Sequence, residues 1–544
     1  MKKRAVVILC LMALVLTFFT GAATKAEERV GESFPSRYDP RELGLATEVK
    51  DQGKYGTCWA FAIASVLESN ALLKGYGKYD LSEYQLAYMC MHAAPDGALS
   101  AVGEGPECSV DWFVGPYGAI MSSSLLKGCA IRLEAEFPYS MIEEPLPDDG
   151  FSADGALYVD SCYTVLATDT NAMKELILEN GAFYMNICAL SWIDESGKYC
   201  NWDTGAAYFP KFTEDYQHID HFITVVGWDD NYSRDNFNTT PPGDGAWIVK
   251  NSWGTAYDEP INIGNDKVTT VGDNGWFYLS YYDAAFNNAG CATSITVKNE
   301  RTFDRIYQYD GGAGLLFADN VTDAVICFTA AEDASITSVR IKPTGKITNI
   351  NFFCSYWAFE ETNAEIRVYK GAFDAAAAED AEPIYSQEYK IVHPDYQTVE
   401  FDKAVGLTKG EKYYVRVTFN SPIPYALDGA QTLNYNYQNA VSGDPGETYV
   451  RIAKSEEAGE WYDAVEIPGK PSCSACIKVL TKNGLPPASS DEEISTTEAA
   501  NGGTGEGSAS SDRSPFRFIP LVGFLGVCTT LAALIVVNKK RSKQ

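Results

Sequence analysis

The 544-residue sequence predicts an α+β chain. Its first half holds one strong helix and later buried strands, its second half is an antiparallel β-sandwich, and an apolar segment lies at each end. Three observations predict this. Trp59, Ile63, Val66, Leu67 and Ala71 recur at the three-to-four spacing of a helix. Residues 221–228 run nearly continuously apolar, with β-branched residues among them, as a buried strand does. From about Thr302 to Leu480 short alternating runs replace both patterns. The length allows two or three domains, each large enough to fold without disulfides or metal.

Taken in order, the chain opens with Met1-Lys2-Lys3-Arg4, an apolar run from Ala5 to Phe19, and small residues at Gly21-Ala22-Ala23. That is the build of a secretory signal peptide, predicted over 1–26. At the other end Phe518 to Val537 carries no charge and is followed by Lys539-Lys540-Arg541. This predicts a transmembrane helix over 517–538 with a basic cytoplasmic tail at 539–544. The Ser, Thr, Glu and Gly-rich stretch 483–516 cannot bury enough apolar surface to fold and reads as a tether. The chain is therefore expected to be single-pass in the cell membrane, with its N-terminal domains extracellular. Leu485-Pro486-Pro487-Ala488 does not match the sorting signal of wall-anchored proteins.

The net charge is −30, from 43 Lys and Arg against 73 Asp and Glu, which excludes nucleic acid as a partner because phosphate binding needs a basic surface. Solubility explains the acidity. No spacing matches a calcium loop, and no metal ligand set is predicted. Histidine chemistry must use His92, His218, His221 or His393, the only four in the chain. Of the 14 cysteines, Cys10 and Cys528 lie in the terminal apolar segments. Cys473 and Cys476 have no second half-site and are expected to be structural.

The helix predicted from the 59–71 pattern begins at Cys58 and ends at Gly75 and Gly77. A cysteine at a helix start meets the positive end of the dipole and free backbone N–H groups, which favour the thiolate. Around it stand Gln52-Gly53 and Cys58-Trp59-Ala60-Phe61. Further on come Asp220-His221-Phe222, with Val226-Gly227-Trp228, and then Lys250-Asn251-Ser252-Trp253-Gly254.

These three segments, in this order, resemble the active-site motifs of papain-like cysteine peptidases. The resemblance covers roughly residues 34–283. It implies a two-part unit, a helical half begun by Cys58 and a β-rich half carrying His221 and Asn251, with a cleft between. It implies Cys58 as nucleophile, His221 as acid and base, Asn251 as the acceptor that orients the imidazole, and Gln52 with the Cys58 N–H as oxyanion donors. Trp59 supports the nucleophile segment, and Trp253 would shield the His221–Asn251 bond from water. No metal or organic cofactor is implied.

The sequence departs from the family pattern in four places. Tyr55 stands where the family has a cysteine, so Cys90 lacks its usual partner. The Gly-Gly segment that lines the main specificity pocket is not recognisable. An insertion, Asn231 to Asp244, separates the His and Asn segments and is expected to form a loop. Only about eight residues lie between the signal and the mature-like start at Ser36, so a long inhibitory pro-segment is not expected.

The second half contains Ala334–Ile341, Ala364–Tyr369 and Lys412–Phe419 as alternating runs. It resembles the lectin-like sandwich that follows papain-like units in bacterial and archaeal surface proteins. A carbohydrate partner is an option the fold leaves open. Tyr435 and Tyr437 could stack on a sugar, but core or surface packing is the better explanation of them. The domains expected are thus 27–300, peptidase, and 301–482, sandwich. The function expected is a surface-anchored cysteine endopeptidase acting on protein or peptide substrates. The rivals are an adhesion or carbohydrate-binding protein with a silent peptidase scaffold, and an acyl-transferring enzyme acting on cell-wall peptides.

Overall fold

The computed structural model describes residues 34–486, apart from 94–105, 109–123, 190–197, 213–219, 256–260, 264–265, 269–273, 289, 312–315, 352–353, 430, 435–436, 440–442 and 455–456. The expected signal peptide, membrane span and basic tail, and the tether beyond Pro486, lie outside the described residues. Among the described residues no helix is long and apolar enough to cross a membrane.

Helix α1, Cys58–Leu73, is mostly apolar and is buried along almost its whole length, Ser65, Glu68, Ser69 and Asn70 included. A helix with no side left to solvent must be covered all round. One side is met by α2, Glu83–Met91, whose cap Ser82 accepts a bond from the N–H of Gln85. The other is met by a nine-stranded sheet. The strands that matter for the site are β1, Tyr158–Leu166; β2, Phe183–Ile187; β3, His221–Asp229; β4, Ala246–Lys250; β5, Trp276–Ser280; and β6, Cys291–Lys298. They run β1-β6-β2-β3-β4-β5 across the sheet. Helix α3, Thr170–Asn180, links β1 to β2 and is capped by Asp169.

Strand β3 is central and its residues are nearly all buried, which explains its apolar run. Gly227 interrupts that run for a steric reason. A Cβ there would lie 2.3 Å from the Tyr38 carbonyl oxygen, because the short strand Arg37–Tyr38 pairs directly onto β3. The insertion 231–244 is a surface loop around a short 3-10 turn, Arg234–Asn236, closed by the bond from the Gly245 N–H to the Tyr232 carbonyl.

After Lys298 the chain enters the sandwich. One sheet has four strands in the order Arg305–Tyr307, Ile477–Asn483, Ala334–Ile341, Gln397–Leu407. The other has seven, centred on the long antiparallel pair Leu316–Thr329 and Lys412–Gly429. Alternate residues such as Ile366, Val368, Val415 and Val417 face the shared interior, as the sequence pattern requires.

Each half has a buried cluster of its own, and a third cluster is shared between them. Tyr396, Ala426 and Cys476 of the sandwich belong to the same buried cluster as Trp59, Tyr84, Cys90 and Tyr184. Polar groups stitch the seam as well. Arg340 is buried and donates to the carbonyls of Leu126, at 3.0 Å, and Val159, at 2.9 Å. Gln308 donates to the Lys127 carbonyl, and the Cys162 N–H to that of Tyr396. Sequence periodicity cannot report such a seam, since it reads each strand by itself.

A shared core predicts a single unfolding transition for both halves in urea, followed by fluorescence and circular dichroism. Arg340→Leu removes the donor to two buried carbonyls and should cost roughly 2–4 kcal/mol by the same measurement. Two separated transitions, or an unchanged midpoint, would contradict the shared core.

Candidate active site

Cys58 opens α1, and its Sγ accepts the N–H of Phe222 at 3.4 Å. His221 is the residue just before, at the head of β3. The antiparallel register pairs Thr224 with Lys250, so the residue following β4, Asn251, comes level with the start of β3. His221 Nε2 and Asn251 Oδ1 are 2.8 Å apart. Only the ring N–H can donate to that oxygen, so Nε2 carries the proton and Nδ1 is left with a lone pair. The Ser252 N–H also binds Asn251 Oδ1, at 2.9 Å. Trp253 covers the pair, its ring 4.6 Å from that of His221. Asn251 is held from behind by Gly275, whose carbonyl accepts the Asn251 N–H at 3.0 Å. A Cβ at Gly275 would stand 2.7 Å from the Gly254 carbonyl, so the approach requires glycine.

Gln52 reaches the same place from the loop before α1. Its N–H binds the Ser252 carbonyl, and the Gly254 N–H binds that of Lys50, a short ladder between the two halves of the unit. The Ser252 hydroxyl donates to Gln52 Oε1 at 2.7 Å, which fixes the amide so that Nε2 is the free donor end. One N–H of that amide goes to the Tyr55 carbonyl at 2.8 Å, leaving the second for another acceptor. Trp59 is fully buried in the core beneath α1.

The electrostatics differ from the helix-dipole expectation. Cys58 is 8% exposed and His221 4%. Burial raises the Cys58 thiol to about 11; the Phe222 N–H opposes this and the charge of Asp220 adds to it. Burial likewise lowers His221 to about 4, against the bond to Asn251. Desolvation penalises both charged forms here more than a helix terminus can repay. Burial thus works against both the thiolate and the imidazolium.

Behind the pair the two halves meet over buried charge. Lys50 Nζ lies 2.8 Å from both Glu68 Oε1 on α1 and Glu83 Oε1 on α2. Lys250, beside Asn251, is lowered to about 8 by burial and donates to the Thr47 hydroxyl at 2.6 Å. A cavity of about 10 Å³ lies among Lys50, Glu68, Glu83, Phe222, Lys250 and Asn251, room for about one water.

The structure thus brings Cys58, His221, Asn251, Gln52 and Trp253 together. Of the other histidines, His92 stacks on Tyr88 at 3.8 Å, and His393 sits in the sandwich beside Tyr163. His218 lies outside the described residues, as do Tyr435 and the side chain of Tyr437. Cys90, Cys473 and Cys476 are buried and form no disulfide, and Cys473 donates to the Ala464 carbonyl. Among the described residues no cluster of three or more His, Cys, Asp or Glu is placed to hold a metal. Two parts of the site have no sequence signal of their own. Ser252 was visible only as part of a motif, and its grip on Gln52 depends on the cross-chain ladder. Tyr139, whose hydroxyl donates to the Gln52 carbonyl at 2.9 Å, lies 87 residues away.

Residues 34–267 match the family model described as papain family cysteine protease, and residues 306–481 match the lectin-like domain model. The chain carries a papain-family cysteine protease domain followed by a lectin-like domain. Among solved structures it is similar to the clostridial cysteine protease Cwp84 after propeptide cleavage, with a TM-score of 0.63 at 22% identity, covering 83% of this chain and 100% of that one. It is similar too to the cysteine protease and lectin-like domains of Cwp84, a surface layer associated protein of Clostridium difficile, with a TM-score of 0.62 at 23% identity, covering 83% and 90%. At these identities the likeness is one of fold. Vignain of Vigna mungo is 27% identical over 44% of this chain and 56% of its own length. A viral cathepsin of Heliothis zea nuclear polyhedrosis virus is 27% identical over 41% and 50%. The chain spans about half the length of the curated relatives it matches.

The depressed His221 predicts an acid limb in stability. Between its ordinary value of 6.5 and about 4 the unfolded chain binds a proton that the folded chain does not. The contribution is whole above pH 6.5 and is lost as pH falls to 4, by roughly 3 kcal/mol. Cys58, raised from 9.0 to about 11, acts on the other side: its contribution is whole below pH 9 and declines as pH rises to 11. Urea midpoints of His221→Gln should fall less steeply between pH 6.5 and 4 than those of wild type. An identical slope would contradict the burial of a neutral imidazole.

Proposed function

We propose that this protein is a cysteine endopeptidase in which Cys58 is the nucleophile, His221 the acid and base, Asn251 the orienter of His221 and Gln52 an oxyanion donor. The observation that carries the reading is the 2.8 Å bond from His221 Nε2 to Asn251 Oδ1, which leaves Nδ1 as a base on the residue next to Phe222, whose N–H meets the sulfur of helix-terminal Cys58. As sulfur attacks the peptide carbonyl, the thiol proton passes to Nδ1. The carbonyl electron pair moves onto oxygen, where the Gln52 amide and the Cys58 N–H receive the charge. On collapse the C–N bond breaks and the imidazolium gives its proton to the leaving amine. A water then attacks the thioester, His221 takes the water proton, and the acid departs with return of that proton to sulfur.

The finer points are proposed on the sequence alone. Export rests on residues 1–26, and a membrane tether on 517–538, with the described domains outside the cell. The domains are taken as 27–300 and 301–482. For the lectin-like half a carbohydrate is the ligand class to test, by glycan binding of the Cys58→Ala protein.

The test of the catalytic reading is labelling of the full chain with a thiol-reactive epoxide, together with casein cleavage. Wild type should be labelled once and should cleave; Cys58→Ala should do neither, and Asn251→Ala should retain labelling with kcat reduced about 10- to 100-fold. Cleavage by Cys58→Ala would remove the mechanism. An added amine appearing in the products by mass spectrometry would redirect it to acyl transfer.

A further inference from the structure

The loop from Gln52 to Thr57 carries both proposed oxyanion donors at its two ends. At one end is the Gln52 amide; at the other is the N–H of Cys58, which belongs to the peptide unit of the Thr57 carbonyl. Donors of this kind act only if they are in place before charge develops. The loop itself is poorly suited to hold them, with Gly53 at a φ of +59° and Gly56 also within it. No disulfide tethers it either, since Tyr55 stands where the family has a cysteine.

The short 3-10 turn Tyr139–Met141 packs against this loop. The Tyr139 hydroxyl donates to the Gln52 carbonyl at 2.9 Å and is in close contact with the Thr57 hydroxyl. A phenol has one proton; since it goes to Gln52, the Thr57 hydroxyl must donate to the phenol oxygen. That use explains an oddity of α1. Thr57 occupies the N-cap position, where a threonine side chain ordinarily caps, yet it makes no side-chain cap bond. The Tyr139 ring is fixed by edge-on packing against Phe61, 4.9 Å away, and by Tyr55 at 6.2 Å. The Tyr139 N–H is taken by Glu134 at 2.7 Å. Tyr55 in turn donates to Glu143, whose carboxylate also lies 3.3 Å from Lys54 Nζ. The loop is thus gripped from one side at Gln52, Lys54, Tyr55 and Thr57 by residues 139–143.

We infer that Tyr139 is a positioning residue for the oxyanion site, its hydroxyl tying the Gln52 and Thr57 ends of the loop at a fixed spacing. The inference rests on the catalytic reading above. Tyr139 acts through Gln52 and Thr57 and touches no reacting atom.

The test is Tyr139→Phe in the full chain, which keeps the ring and removes the bond. Active sites are counted by epoxide titration, so any unfolded fraction drops out. The readouts are kcat and KM on a peptide amide, and the rate of Cys58 alkylation by iodoacetamide, which needs the thiol but no oxyanion. We expect kcat per titrated site to fall about tenfold or more, KM to change less than about twofold, and the alkylation rate to stay at the wild-type value. Thr57→Val should lower kcat in the same direction, and the double variant should lose little beyond the larger single loss, because both bonds serve one clamp. If Tyr139→Phe does not fold, Thr57→Val carries the same readouts. Unchanged kcat in the folded variant overturns the inference while leaving the peptidase reading intact. Alkylation that falls in step with kcat overturns it too, by moving the defect to the thiol. A wild type that alkylates but never cleaves would bring down the reading and the inference with it.

Discussion

The burial of α1 on every side is the constraint from which the site follows. A helix with no solvent face can be placed in only one way between α2 and the sheet, so its first residue has a fixed address. That address is against the head of β3, where the Phe222 N–H meets the Cys58 sulfur. Because β4 runs antiparallel beside β3, the residue leaving β4 arrives at the same level. Three side chains scattered over nearly two hundred residues are brought together by one buried helix and one strand register.

The same burial shapes the chemistry. Covering a sulfur and an imidazole so closely disfavours the charged form of each. What the scaffold can offer beforehand is orientation: Asn251 fixes the tautomer, Ser252 fixes the Gln52 amide, and Tyr139 ties the loop. The charged groups lie one layer back, where Lys50 ties α1 to α2 through Glu68 and Glu83 without touching the reacting atoms.

Much of this was legible in the sequence where short-range pattern carries the information. The helix from Cys58, the strand from His221 and the alternating runs of the sandwich all follow from apolar spacing, and the three motifs name Cys58, His221, Asn251 and Gln52. The effect of burial on this pair was not legible, because a helix start favours the thiolate while the covering that opposes it comes from distant segments. The role of Tyr139 was hidden for the same reason, since Phe137-Pro138-Tyr139 has no periodicity that distinguishes a clamp from a turn. The seam between the halves was likewise invisible. Arg340 reads as an ordinary polar residue of an alternating strand until Leu126 and Val159 are seen beneath it.

That seam limits how such a protein can be rebuilt. A chimaera that keeps the catalytic part and takes its sandwich from another relative would bring home three orphaned carbonyls, at Leu126, Lys127 and Val159, unless the donor chain supplied an arginine and a glutamine at matching places. Recombination at the junction after Lys298 would therefore cut through a solid body, and the two parts should pass between lineages together or be repaired residue by residue along their common face.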